Sequence, residues 1–184
     1  MTANGMQALA LVFEGLLLRP FVDDDATAFA EAVRESAEGI GRWMAWASHD
    51  YATAQALDWF AACRVQRDAG TALEYGIFCQ QTGALLGGAG LNEIRRDHRF
   101  CNLGYWVRQS RQGQGIAPRC VRALAAQAFA SEELRRVEIV VAVGNAASER
   151  VAIKCGALHE GIARNRLLIN DQSVPAHVFS LIPG

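Results

Sequence analysis

The spacing of hydrophobic residues changes from helical to strand-like in the first 110 residues of the chain. A short apolar run at residues 16–21 predicts a first strand. Beyond it, apolar positions recur every three or four residues up to about residue 36 and again over residues 53–65, which predicts two helices. Short apolar segments separated by polar or glycine-containing turns then predict an antiparallel meander. Its three strands are expected at residues 74–79, 85–94 and 100–107.

Helical and strand-like segments alternate in the second half of the chain. Helices are predicted at residues 116–129 and 146–154, and Gly156 is expected to end the second in the left-handed conformation. Strands are predicted at residues 137–143, 158–168 and 174–182, the last two joined by a turn at residues 170–173. The resulting order, β-α-α-β-β-β-α-β-α-β-β, predicts an α/β (mixed α+β) fold in which about seven strands form a mixed sheet with helices on its faces.

The charge of the chain is uneven, although its 184 residues carry a formal net charge of only −1. Residues 1–97 carry 13 acidic and 7 basic residues, residues 98–131 carry five Arg and no acid, and residues 132–184 carry six of each. The small net charge argues against a nucleic-acid-binding protein of the histone type. The acid-free segment is the first place to look for an anion site.

Several other classes of protein are not indicated. No apolar run approaches the ~20 residues of a membrane-spanning helix, and no basic region precedes the apolar stretch of residues 1–13, so neither a membrane protein nor a signal peptide is expected. The five cysteines are not paired in spacing and are expected to be reduced thiols of a cytoplasmic protein. One Cys155–His159 pair without a second pair predicts no metal site.

The acid-free segment places a glycine-rich turn between a strand and a helix. Gly113 and Gly115 allow successive backbone N–H groups to point one way, and the start of the helix adds its dipole, so phosphate or pyrophosphate is the expected ligand. A purely structural turn is the alternative. A P-loop is excluded because the only lysine is Lys154, and a dinucleotide-binding fingerprint is excluded because Pro118 stands in place of its third glycine.

The spacing Gln112-x-x-Gly115-x-Ala117 resembles the coenzyme A pyrophosphate loop of the GNAT N-acetyltransferase superfamily. The segment 104–107, the Arg-Trp-Met-Ala-Trp-Ala segment 42–47 and the segment 143–148 are similar to its Rim-type branch, the ribosomal-protein N-terminal acetyltransferases. The resemblance covers residues 16–182 of what is expected to be a single domain, 1–184. It implies the acyl-CoA N-acyltransferase fold, whose twisted sheet is mostly antiparallel with helices on both faces.

The resemblance implies acetyl-CoA as co-substrate, with no metal. Backbone of the strand end would pair with the pantetheine arm, and the glycine-rich loop would hold the pyrophosphate. The chain departs from its relatives at Pro118, where a hydroxyl residue is common, and at Ala157, where Phe is common. The implied cofactor-binding residues are Trp106, Val107, Arg108, Arg111, Gln112, Gly113, Gln114, Gly115, Ile116, Ala117, Asn145 and Ser148.

Acetyl transfer to an amine requires a proton acceptor, an oxyanion donor and a proton donor for the thiolate. Glu93 is the candidate base, because it lies in an apolar strand where related enzymes place a carboxylate; an exposed strand-end carboxylate is the alternative. By resemblance, the Val107 N–H is the oxyanion donor. Many superfamily members protonate the thiolate from a Tyr at the position of Ala152. The Rim-type branch is similar to this chain in having a Ser three residues after the Asn, and this resemblance implies Ser148 as the donor, with a helix-capping role as its alternative.

The acceptor is expected to be a primary amine, either a protein N-terminus or a small molecule. Candidate acceptor-binding residues are Trp43, Trp46, Asn92 and Tyr105, although at least one Trp is also expected in the core. A non-catalytic acyl-CoA-binding module is the main alternative function, and a nucleotide-phosphate binder is a weaker one. The chain is also expected to be compatible with a homodimer, as in many relatives.

Overall fold

The computed structural model describes residues 10–130 and 134–184. Residues 1–9, on which the expected lack of a signal peptide partly rests, lie outside that part of the chain. The helices are α1 (Ala26–Ile40), α2 (Thr53–Asp68), α3 (Ile116–Ala130) and α4 (Ala146–Lys154). The strands are β1 (Leu11–Phe13), β2 (Leu16–Arg19), β3 (Leu73–Cys79), β4 (Leu85–Arg95), β5 (Phe100–Val107), β6 (Arg136–Ala142), β7 (Leu158–Ile169) and β8 (Gln172–Leu181).

One mixed sheet holds these strands in the order β1-β2-β3-β4-β5-β6-β8-β7. Every pair is antiparallel except β5 and β6, which are parallel. These two strands pair only where Phe100–Asn102 meets Arg136–Glu138. Beyond these residues β5 and β6 are not hydrogen-bonded to each other, which leaves a gap between them. The sheet therefore opens between β5 and β6 at the end that leads into the glycine-rich segment.

Helices cover both faces of the sheet because strand residues alternate between two cores. Leu16 and Leu18 of β2 belong to a core with α3 and α4, whereas the Phe21 ring packs with α1 and α2 on the opposite face. On β3, Tyr75 contributes to the α3 side and Phe78 to the α1–α2 side. The predicted layers and meander are confirmed.

Over the described residues the sheet has eight strands, one more than predicted. The additional strand β1 forms a hairpin with β2 through Glu14 and Gly15, whose φ angles of 46° and 81° are those of a tight hairpin turn. Arg119 Nη1 on α3 donates to the Glu14 carbonyl at 2.6 Å, and Arg122 forms an ion pair with the Glu14 carboxylate at 3.2 Å. The sequence signal for this strand was the Glu-Gly turn after three apolar residues.

Helix α1 continues to Ile40, one turn beyond the predicted end near residue 36. Ser36 does not end the helix because its Oγ donates to the Ala32 carbonyl of the preceding turn at 2.7 Å. Ala37 and Ile40 are buried and continue the apolar face. Over the described residues, no helix is long and apolar enough to cross a membrane.

Candidate active site

The gap between β5 and β6 is a groove of about 690 Å³. Residues 103–107 of β5 line one side and residues 139–142 of β6 line the other, so the unpaired backbone of both strands faces the space between them. Unpaired strand backbone is a template for an extended ligand that carries amide groups. The pantetheine arm of coenzyme A is such a ligand, and the groove fits it.

The glycine-rich loop closes one end of this groove, where α3 begins. Gly113 and Gly115 adopt φ angles of 76° and 70°, which side chains with a Cβ rarely tolerate, and no atom lies within 4 Å of the position where a Cβ would stand. Gln112 ties the loop to the end of β5, since its Nε2 donates to the Val107 carbonyl at 3.1 Å. The first N–H groups of α3 have no partner within the helix and are directed at this space.

Helix α1 holds the segment between β5 and the loop in place. The N–H of Gln109 donates to Ser36 Oγ at 3.0 Å, and the N–H of Ser110 donates to the Glu35 carboxylate at 2.8 Å. Glu35 also forms an ion pair with Arg108. These contacts fix the path of the chain as it enters the pyrophosphate loop.

The structure separates the predicted cofactor residues into two sets. Arg108 is paired with Glu35, Arg111 is exposed, and Gln114 Nε2 lies 3.5 Å from the Ser110 carbonyl, so these three stand outside the lining of the groove. The predicted residues that line it are Trp106, Val107, Gln112, Gly113, Gly115, Ile116, Ala117, Asn145 and Ser148.

A hydroxyl pair stands in the groove where β5 faces the start of α4. Asn145 is the N-cap of α4, and its side chain accepts from the Ser148 N–H at 3.2 Å. Ser148 Oγ lies 2.8 Å from the Tyr105 hydroxyl, which also donates to the Ser148 carbonyl at 3.2 Å. Burial raises the pKa of Tyr105 to about 12, so this hydroxyl keeps its proton at neutral pH.

A second cavity, of about 500 Å³, lies on the α1–α2 side of the sheet. Most of its lining is aromatic, and the candidate acceptor residue Trp46 is part of that lining, with 44% of its surface exposed. Phe29 and Trp106 pack edge to face at 5.5 Å, and Trp46 lies 6.0 Å from the Trp106 ring. Met44, Gly104, Tyr105 and Trp106 line both this cavity and the groove.

Two residues that were predicted to lie at the acceptor site do not line the aromatic cavity. Trp43 lines the groove, and its ring approaches Gly144. Glu93 sits at a bulge of β4 with a φ of 50°, its side chain is 58% exposed, and it forms an ion pair with Arg166 at 3.3 Å. Asn92, by contrast, lines the cavity.

Glu74 is the carboxylate that lines the cavity, and sequence reasoning did not single it out. It lies on β3 opposite Gly90 of β4. Burial raises the pKa of Glu74 to about 7, and a hydrogen bond from Asn92 opposes that shift. Its only sequence signal was one acidic residue within an apolar strand, the same signal that favoured Glu93.

The geometry of groove and loop agrees with the comparisons with known proteins. The family described as Acetyltransferase (GNAT) domain matches residues 15–158, most of the chain. This chain belongs to the GNAT acetyltransferase family. It is 30% identical to YdaF of Bacillus subtilis, which is named provisionally as a ribosomal N-acetyltransferase, over 176 residues that cover 93% of each chain.

Solved structures of GNAT enzymes superpose on the whole fold. A Vibrio cholerae protein, described provisionally as a ribosomal-protein-serine acetyltransferase, has a TM-score of 0.85 and 31% identity, with 100% of both chains covered. RimL, a ribosomal L7/L12 α-N-protein acetyltransferase solved in complex with coenzyme A, has a TM-score of 0.84 at 22% identity, covering 95% of this chain and 98% of its own. The enzyme is therefore a GNAT N-acetyltransferase with acetyl-CoA as donor, and it is similar to proteins named as ribosomal-protein acetyltransferases.

Metal-binding side chains are not clustered in the part of this GNAT enzyme that the structure describes. Within residues 10–130 and 134–184, no cluster of three or more His, Cys, Asp or Glu side chains could hold a metal ion. The residues that fit the co-substrate are instead backbone groups of the groove and loop.

Proposed function

We propose that this enzyme acetylates a primary amine by direct attack within a ternary complex, with the donor in the groove and the acceptor in the aromatic cavity. The observation that carries this proposal is that the two spaces meet at Gly104, Tyr105 and Trp106. Ligands bound in the two spaces can therefore touch there without an enzyme-bound intermediate.

The Val107 N–H is proposed to stabilise the oxyanion. Arg108 donates its N–H to the Leu86 carbonyl on β4 at 2.8 Å, and successive N–H groups of an extended chain point in opposite directions. The Val107 N–H therefore points away from β4 and into the groove. Acetyl-CoA supplies an activated thioester there, and a fixed N–H donor at its carbonyl oxygen would lower the barrier to attack.

Ser148 is proposed to protonate the leaving thiolate. Its Oγ lies at the groove and is 2.8 Å from the Tyr105 hydroxyl. Tyr105 can return a proton to Ser148 after that transfer. This pair would take the role that many superfamily members give to a tyrosine at the position of Ala152, which lies one turn after Ser148 on α4.

The acceptor is proposed to be a protein N-terminus or a small-molecule amine. The provisional names of relatives support a ribosomal protein. We also propose a cytoplasmic location, supported by five free cysteines. A homodimer is supported by exposed apolar side chains on the outer strand β7, at Leu158, Ile162 and Leu168, and sedimentation would test it.

Initial-rate kinetics tests the ternary complex. We expect calorimetric titration to show acetyl-CoA binding to the free protein, and thiol release to give intersecting double-reciprocal lines when both substrates are varied. Parallel lines would contradict direct attack, and so would transfer of the acetyl group from acetyl-CoA to a cysteine thiol of the protein itself. Absence of acetyl-CoA binding at millimolar concentration would contradict the donor site.

A further inference from the structure

We propose that Glu74 binds the acceptor ammonium and takes its proton, and that the aromatic cavity around it selects a primary amine carried on an apolar group. This inference rests on the proposed function, and it names the base and the acceptor class of that same site. It replaces Glu93 in the role of base, because Glu93 lies at an exposed bulge in an ion pair with Arg166.

The position of the Glu74 carboxylate follows from two glycines in register across the sheet. Glu74 pairs with Gly90 of β4, and Gly90 pairs with Gly104 of β5. A Cβ on Gly90 would lie 2.0 Å from Glu74 Oε2, so the carboxylate occupies the space above β4 that a side chain would otherwise fill. It is thus about one strand spacing, ~4.8 Å, from Gly104, where cavity and groove meet.

Two asparagines fix the orientation of this carboxylate. Asn102 Nδ2 donates to Asn92 Oδ1 at 2.8 Å, which leaves the Asn92 amide N–H groups to donate elsewhere. Asn92 hydrogen-bonds to Glu74. The Asn92 amide therefore lies beside the carboxylate, and both side chains line the cavity.

The lining of the cavity indicates which amines fit. Among the described residues that line it, Glu74 is the one charged side chain, and the rest are apolar, aromatic or neutral polar. Phe29, Trp46 and Trp106 form a contiguous aromatic cluster. Aromatic faces stabilise an ammonium and bury an apolar group, whereas a second charge on the acceptor would be desolvated without a partner.

The ionisation of Glu74 suits a base at neutral pH. Its pKa of about 7 means that carboxylate and carboxylic acid are both populated near pH 7, which is where a general base is most effective. The titratable groups that surround it are Tyr75 on its own strand, Tyr51 and Tyr105 in the cavity lining, and Cys63 and Arg67 on α2. Burial raises the pKa of each of the three tyrosines and of Cys63, so these groups stay neutral as Glu74 titrates.

The proton balance of the reaction is complete with these groups. Glu74 takes one proton from the ammonium, which leaves a neutral amine. The amine nitrogen attacks the thioester carbon, so that a C–N bond forms and the C–S bond breaks. The second nitrogen proton, lost as the amide forms, passes to Tyr105 and through it to Ser148, and so replaces the proton that Ser148 gives to the thiolate. Glu74 releases its proton to water when the product leaves the cavity.

The test uses phenethylamine as the apolar probe and 1,4-diaminobutane as a probe with a second charge. Thiol release is measured for the wild-type enzyme and for Glu74→Gln, Glu74→Asp, Glu93→Gln and Glu31→Gln, the last an exposed control on α1. Calorimetry with acetyl-CoA shows for each variant that the groove is intact.

We expect kcat/KM for phenethylamine to exceed that for 1,4-diaminobutane by about 10²-fold, since the second charge has no partner. Glu74→Gln should lower kcat/KM by about 10²–10⁴-fold with unchanged acetyl-CoA affinity, and Glu74→Asp should restore part of it. The acidic limb near pH 7 in the wild-type profile should be absent in Glu74→Gln. Glu31→Gln should behave as wild type.

Three results would overturn the inference. Wild-type kcat/KM in Glu74→Gln would remove Glu74 as base, and a large loss confined to Glu93→Gln would assign the role to Glu93. A preference for 1,4-diaminobutane, or for peptides with polar N-terminal residues, would overturn the apolar class. Failure of acetyl-CoA to bind, or no thiol release with any amine, contradicts the proposed function instead.

Discussion

The donor groove and the acceptor cavity are built in opposite ways, although they share Gly104, Tyr105 and Trp106. The groove presents backbone: unpaired strand ends of β5 and β6, two glycines with positive φ, and the first turn of α3. The cavity presents side chains from α1, α2, the segment between them, and three strands. A backbone site requires particular residues at consecutive positions, whereas a side-chain site can be assembled from any parts of the chain that the fold brings together.

Because of this difference, we expect substitutions in the two sites to have different effects. Substitution of a glycine in the groove should affect donor binding alone, while substitution in the cavity should affect the acceptor alone. Substitution of residues at the meeting point should change the rate of acetyl transfer but leave the affinities for donor and acceptor unchanged. The following predictions test this division.

The largest effect in this series is expected at the hydroxyl pair that Ser148 forms with Tyr105, one of the residues at the meeting point. Ser148→Ala removes the proton donor to the thiolate and should lower kcat by about 10²-fold, and Tyr105→Phe, which removes only the partner hydroxyl, by about 10-fold. KM for both substrates should stay close to wild type, as single-turnover and steady-state rates would show. Equal losses in both affinities would indicate a structural role instead.

The next effect concerns the groove. Gly115→Val places a β-branched residue at a φ of 70° and should weaken acetyl-CoA binding about 30-fold, because the loop must leave its conformation. Gly83 is a matched control, since it has the same φ of 70° and open space around it but lies in the turn between β3 and β4. Gly83→Val should keep wild-type affinity in calorimetry; equal loss in both variants would mean that strain, not the loop, sets the result.

A smaller effect is expected from the cavity side. Gly90→Ala introduces a Cβ 2.0 Å from Glu74 Oε2 and must displace the carboxylate, which is the flexible end of a side chain. We expect kcat/KM for the acceptor to fall about 10-fold with acetyl-CoA affinity unchanged. Unchanged turnover would show that the position of Glu74 above β4 does not matter.

The smallest effect is on stability, and it has a defined sign. The pKa of Glu74 is about 7 in the folded chain against an ordinary value of 4.5, so the free energy of unfolding falls as pH rises between these values. Glu74→Gln should abolish this decrease in the free energy of unfolding, so the variant should be more stable than wild type at pH 8 by on the order of 2 kcal/mol. Near pH 4 the difference should vanish, which urea denaturation at both pH values would check.

Most of the groove could be predicted from sequence because its residues are consecutive. Gln112 to Ala117 and Asn145 to Ser148 carry their spacing within single segments, and the layered fold follows from the same hydrophobic pattern. Glu74 could not be found in this way, because its role depends on pairing with Gly90, sixteen positions away, and on the bulge that turns Glu93 outward. Trp43 and Trp46 are three residues apart, yet the chain between α1 and α2 directs them to different spaces.

Helix α1 touches both substrates' sites at once. Glu35 and Ser36 hold the N–H groups that precede the pyrophosphate loop, and Phe29 on the same helix packs in the wall of the acceptor cavity. Any change in the helix that follows donor binding is therefore transmitted to the acceptor wall. Thermodynamic reciprocity then requires the acceptor to change donor affinity by the same factor, so that α1 would couple the binding of the two substrates.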